Sequence, residues 1–129
     1  MEHRHSTALE GWNLDLRALS AEEPERLVRF LTGALLACGG WVLTRTTQGQ
    51  QAAEMCFEFA RAASMDIYSV LLATGLELSR ESHEQMADLC NCANHLDRAR
   101  VFEIARVELV VYRAVSRAQR EEFALTPAG

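Results

Sequence analysis

Two runs of alternating side chains, Trp41 to Thr47 and Glu54 to Ala60, flank the polar segment Gln48-Gly49-Gln50-Gln51. Successive strand residues point to opposite faces, so such alternation marks half-buried strands. β-Branched and aromatic residues in both runs fit a pleated surface. Two strands one short turn apart make a hairpin. With Gly49-Gln50 as a two-residue turn, glycine supplying the positive φ, Arg45 falls opposite Glu54, Leu43 opposite Cys56 and Val42 opposite Phe57. One face then carries Val42, Thr44, Met55, Phe57 and Phe59, and the other Trp41, Leu43, Arg45, Glu54, Cys56 and Glu58. The first is the more apolar and is expected to meet helices. On the second, Arg45 and Glu54 can pair across strands for about 0.2–1 kcal/mol.

The flanking segments alternate between the two periods. Trp12, Leu14 and Leu16 predict a short strand. Ser20 with Glu23 three residues on reads as a capping box, with Pro24 in the first turn. Leu27, Leu31, Ala34 and Cys38, joined by Phe30 and Leu35, make a helical stripe that Gly39-Gly40 stops. A second helix, capped by Ser64 or Asp66, carries Ile67, Val70, Leu71, Thr74 and Leu78, although Gly75 costs it about 1 kcal/mol against Ala. A third starts at Ser79 or Ser82 and carries Met86, Leu89, Ala93 and Leu96. Residues 101–112 read as a closing strand, the alternative being a helix running on into Ser116 to Phe123. As a strand it places Val101, Ala105, Val107, Leu109 and Val111 toward the helices, with Glu103 the misfit. Phe102, Ile104, Arg106, Glu108, Val110 and Tyr112 fall on the outer side. Residues 1–10 read as a flexible lead, 11–120 as a single domain and 121–129 as a frayed tail.

This order of elements predicts an α+β domain. Over roughly residues 12–112 it resembles the ferredoxin-like split β-α-β sandwich, which implies a four-stranded antiparallel sheet with helices on one face. The open face would then expose Trp41, Leu43, Phe102, Ile104, Val110 and Tyr112 among Arg and Glu. That is more apolar surface than a monomer leaves to water, and aromatics mixed with Arg are typical of interface cores. The expected binding residues are therefore Trp41, Leu43, Arg45, Glu54, Phe102, Ile104, Arg106 and Tyr112, with a second copy of the chain as the simplest partner. The competing expectation is that residues 114–124 fold back over this face.

Composition narrows the function classes. The 129 residues include 13 Arg and no Lys against 18 acids, for a net charge of −5. Nucleic-acid binding relies on a basic patch, and here the Arg residues are interspersed with Glu and Asp, so nucleic acid is not an expected partner. The longest apolar stretch, Leu31 to Leu43, falls short of the roughly 20 residues a membrane span needs, and the polar N-terminus has no signal-peptide pattern. Neither membrane nor secretion is expected. Four Cys then read as reduced, in a cytoplasmic protein.

The chemically suggestive clusters are weak. Cys90-Asn91-Cys92 with His95 and His83 has metal-ligand types, but on a helix Cys90 and Cys92 point about 200° apart, and no CxxC pair completes a zinc site. No nucleophile elbow, HExxH or phosphate-loop motif is present. No cofactor or metal is expected. The sequence reads as a non-enzymatic binding or regulatory module acting as a homo-oligomer, with a small-molecule ligand of the kind bound by ACT-type regulatory domains, which it resembles in element order. The alternatives are a small enzyme with an interchain site, in which Arg45 or Arg106 holds an anionic substrate and His83 or a Glu acts as base, and an acidic chaperone-like subunit.

Overall fold

The computed structural model describes residues 12–93, 103–116, 121 and 123. The expected lead at residues 1–10, His95, Leu96, Phe102 and most of the expected tail lie outside these. The elements run β1 (Trp12–Ser20), α1 (Pro24–Ala37), β2 (Trp41–Gln48), β3 (Ala52–Ala60), a 3-10 turn at Arg61–Ala63, α2 (Ser64–Ala73), β4 (Glu77–Leu78), α3 (Arg80–Ala93) and β5 (Ile104–Arg113). The five strands make one sheet in the order β2-β3-β5-β1-β4.

The α+β class stands, but the antiparallel sheet does not. β5 enters between β1 and β3, parallel to β1 and antiparallel to β3, so the sheet is mixed. A ferredoxin-like split arrangement is not confirmed. Alternation of side chains states which face of a strand is buried; it is the same for either neighbour and either direction, so it does not order the strands. β4 is a further correction. Gly75 takes φ +89, α2 stops at Ala73, and Glu77 and Leu78, with Leu78 expected on that helix, pair instead with Leu19 and Ala18.

α1 starts and stops for separate reasons. Its first residue is Pro24, preceded by Glu23 in extended conformation. The expected capping box is not formed, because β1 extends to Ser20 and the Ser20 hydroxyl accepts from the Glu22 N–H at 3.0 Å instead. At the other end, Gly40 N–H donates to Leu35 C=O at 2.8 Å and Gly39 N–H to Leu36 C=O at 3.2 Å. That is a Schellman closure, with Gly39 at φ +91. Gly40 sits in close quarters: a Cβ there would lie 3.3 Å from the Glu58 carbonyl and from Ile67 Cδ1, tight enough that a neighbour would have to shift.

All three helices cover one side of the sheet. Leu27, Leu31 and Leu35 of α1, Ile67 and Leu71 of α2, and Met86 and Leu89 of α3 pack on Leu14, Leu16, Met55, Phe57, Phe59, Val107 and Leu109. Each such side chain contributes about 1.5–3 kcal/mol of burial. Glu103, the misfit of the closing strand, is answered by Arg61. That guanidinium is 2 % exposed, donates to Glu103 Oε1 at 2.6 Å and lies 5.2 Å from the centre of the Trp12 ring.

The hairpin forms, with one shift of register. Val42 faces Phe57 as expected, but Thr44 faces Cys56, Arg45 faces Met55 and Thr46 faces Glu54. The turn has three residues, Gly49 to Gln51, with Gly49 at φ +60 and Gln51 N–H donating to Gln48 C=O at 3.1 Å. A loop one residue longer offsets the pairing by one, and a β-bulge at Leu43 absorbs the offset. The expected Arg45–Glu54 and Leu43–Cys56 pairs are therefore not made. Arg45 turns to the helix side, where its Nη1 donates to Thr32 Oγ1 of α1 at 3.1 Å.

Candidate functional site: the open face of the sheet

The side of the sheet away from the helices can be read in rows set by strand register. The first is Trp41, Glu58, Arg106 and Asn13; the second Thr44, Cys56, Glu108 and Asp15; the third Thr46, Glu54, Val110 and Arg17; the fourth Gln48, Ala52, Tyr112 and Leu19. Three row steps separate Trp41 from Tyr112, roughly 20 Å at the rise of a strand. The aromatics thus stand at opposite ends, with a charged middle between them. The face is mixed, as expected, but the register shift takes Arg45 off it and the strand order sets its described aromatics at opposite ends.

The first row is a connected network. Arg106 binds Glu58 Oε2 through Nε at 2.9 Å and Nη2 at 2.8 Å, and Trp41 Nε1 donates to Glu58 Oε1 at 3.1 Å. Glu58 thus joins two expected binding residues across three strands. The bond to Glu58 raises the Arg106 pKa further above its usual value. In the second row, burial raises the Cys56 thiol pKa above its ordinary value; the Arg106 charge opposes this, while Glu108 and Glu58 add to it. The thiolate is thereby disfavoured, the reverse of what a nucleophilic cysteine needs.

At the far end the Arg17 guanidinium lies 5.6 Å from the Tyr112 ring centre and 6.0 Å from that of Phe123. Phe123 belongs to the segment expected to fold over this face, and the contact places it there at one corner. Glu54, expected opposite Arg45, instead accepts from Gln48 Nε2 at 2.8 Å. Ile104, half-buried, faces Ala60 beyond the first row.

The two edges of the sheet are finished differently. Along β1, beyond β4, side chains of α3 serve the backbone. Ser82 Oγ accepts from Arg17 N–H at 2.8 Å, Ser79 N–H donates to Arg17 C=O at 2.9 Å, and the Gln85 amide both accepts from Asp15 N–H and donates to Asp15 C=O, at 3.2 and 2.9 Å. Ser79 also caps α3, accepting from Ser82 N–H at 3.1 Å. β2 forms the opposite edge, with Trp41 38 % exposed and Leu43 exposed beside it. On neighbouring α1, Phe30 and Leu36 also face outward.

The residues named for catalysis do not converge. Arg45 is on the helix side, Arg106 on the open face, and His83 between α2 and α3, with its Nδ1 2.7 Å from the Tyr68 hydroxyl. Among the described residues no three of His, Cys, Asp and Glu gather in a metal-binding group. Cys90 is buried and Cys92 exposed, as their angular separation on the helix requires. Among the described residues no helix is long and apolar enough to cross a membrane. Sequence reasoning left Glu58 out of the expected binding residues; it emerges as an organising residue only when the strand order sets Arg106 beside it. No protein-family model matches the chain, and no match is found among curated proteins or solved structures.

Proposed function

We propose that the protein is a non-enzymatic binding module that works as a homo-oligomer, a second copy docking at the β2 margin of the open face. The observation that carries this reading is the contrast at the sheet's edges: eight-residue β2 ends the sheet with Trp41 and Leu43 exposed, and Phe30 and Leu36 stand outward on the adjoining helix. Exposed edges of this kind template pairing with another chain. Docking is confined to this margin because the middle rows carry Glu54, Glu108 and Asp15 against Arg17, which an apolar partner would desolvate at a cost. The four cysteines are free thiols, which fits a reducing, cytoplasmic setting.

Sedimentation at micromolar concentration tests the reading. The wild-type chain is expected at twice its 14.4 kDa mass or more. Trp41→Glu is expected to sediment as a folded monomer, since Trp41 is partly exposed and lies outside the core. A wild-type monomer, or a Trp41→Glu oligomer of unchanged mass, overturns the proposal.

A further inference from the structure

We propose that the cleft between α1 and the turn half of β2 binds a small amino dicarboxylate, a molecule with two carboxylates and one ammonium group. The site is separate from the docking margin, since Trp41 and Leu43 stand at the other end of β2. The cleft has a volume of about 460 Å³, and among the described residues Glu25, Val28, Arg29, Arg45, Thr46 and Thr47 line it. That falls within the usual range of small-molecule sites, roughly 300–1,000 Å³. Its charged groups reach it from one side of the sheet. Glu25 and Arg29 belong to α1, and Arg45, with Thr47 alternating after it, takes the helix-facing positions of β2.

The charges in the cleft are held in place and left unpaired. Arg45 Nη1 donates to Thr32 Oγ1 at 3.1 Å, and that hydroxyl donates to Val28 C=O at 2.7 Å. The Arg45 guanidinium is thereby fixed against α1, one helical turn from Arg29. Glu25 and Arg29 stand at i and i+4, a spacing at which such residues often pair, yet no ion pair joins them. Among the described residues neither guanidinium meets a carboxylate, and Glu25 meets no cation. Two guanidinium forks each match the two oxygens of a carboxylate. Glu25 narrows the class further. A phosphate or a plain dicarboxylate would bring only negative charge beside it, whereas an ammonium group would meet it as a partner. Two carboxylates and one ammonium are the complement of two guanidiniums and one carboxylate. All three side chains are exposed, so each contact contributes modestly.

Titration of isotope-labelled wild-type protein with L-glutamate, L-glutamine and glutarate tests the assignment. Glutamine replaces one carboxylate by a neutral amide, and glutarate lacks the ammonium. Saturable amide shifts are expected at Glu25, Arg29, Arg45 and Thr47 with glutamate, and each analogue should bind about fivefold more weakly. Arg29→Gln, at an exposed position, should leave the fold intact and bind glutamate about as weakly as the wild type binds glutamine. Glu25→Gln should bind glutamate only as well as glutarate, with glutarate binding no weaker than to the wild type. Shifts that fail to saturate, shifts away from the cleft, or Arg29→Gln binding glutamate as the wild type does would each overturn the site. Glutamine or glutarate matching glutamate in the wild type, or Glu25→Gln retaining the preference for glutamate over glutarate, would overturn the amino dicarboxylate as its ligand. The shifts are read locally, so their failure leaves the proposed association at the Trp41 margin untouched.

Discussion

The two edges of the sheet pose the same physical problem and meet it in opposite ways. At the β1 edge the backbone groups of Asp15 and Arg17 meet side chains of α3 or the Ser79 N–H, and Ala18 and Leu19 pair with β4. At the β2 edge, bulged at Leu43, the large neighbours Trp41 and Leu43 stand exposed. A bare edge is a liability unless something pairs with it. The difference teaches where to look for a partner: the protected edge is closed by the fold itself, and the open one is where the proposed association would take place.

Removing the protection gives the largest expected effect. Ser82→Ala combined with Gln85→Ala strips three hydrogen bonds from β1 and leaves a part-buried Arg17 N–H unpaired, for about 3 kcal/mol in total, read as a lower urea midpoint. A loss under about 0.5 kcal/mol would mean that the β1 edge is as bare in solution as the β2 edge. Alkaline pH gives a smaller effect on the same side of the molecule. Burial raises the pKa of Cys90 above its ordinary 9.0 and that of Tyr68 above its ordinary 10.0. The unfolded chain therefore loses these protons first, so stability holds below pH 9 and falls as the pH climbs past it. Cys90→Ala should flatten the first part of that fall, and an unchanged slope would remove burial of the thiol as its cause. Smallest of all is Glu58→Gln on the open face. The Arg106 partner is half exposed, so the fold should lose less than about 1 kcal/mol, while the proposed self-association should weaken in the variant because Glu58 also holds the Trp41 indole. A stability loss above 2 kcal/mol would place this network in the folding core rather than at an interface.

Much of this was readable from local pattern. The existence of α1 and its end at Gly39-Gly40, the burial of Met55, Phe57 and Phe59, and the inward side of Val107, Leu109 and Val111 all follow from periodicity and turn chemistry, whereas the expected start of α1 at a Ser20 cap gives way to one at Pro24. What failed was non-local. A single extra turn residue, compensated at Leu43, moved Arg45 to the other side of the sheet. Glu103 stands out as a misfit in its own segment, but Arg61, which answers it, finds it only through the fold. Tyr112 and Trp41 were rightly expected on the outer side, but their separation depends on which strands intervene.

The central position of β5 also bears on how the protein is made. Trp12 pairs with Ala105, so β1 is synthesised well before its parallel neighbour β5, and the sheet cannot close until β5 follows. Until then β1 and the β2–β3 hairpin have no strand between them, and the side chains that β5 will cover stay open to wrong partners. Such long-range, parallel pairing is slow to form. Cells that produce the chain rapidly should therefore accumulate it in aggregates, and slowing synthesis or supplying a chaperone during the final strand should recover it in soluble form.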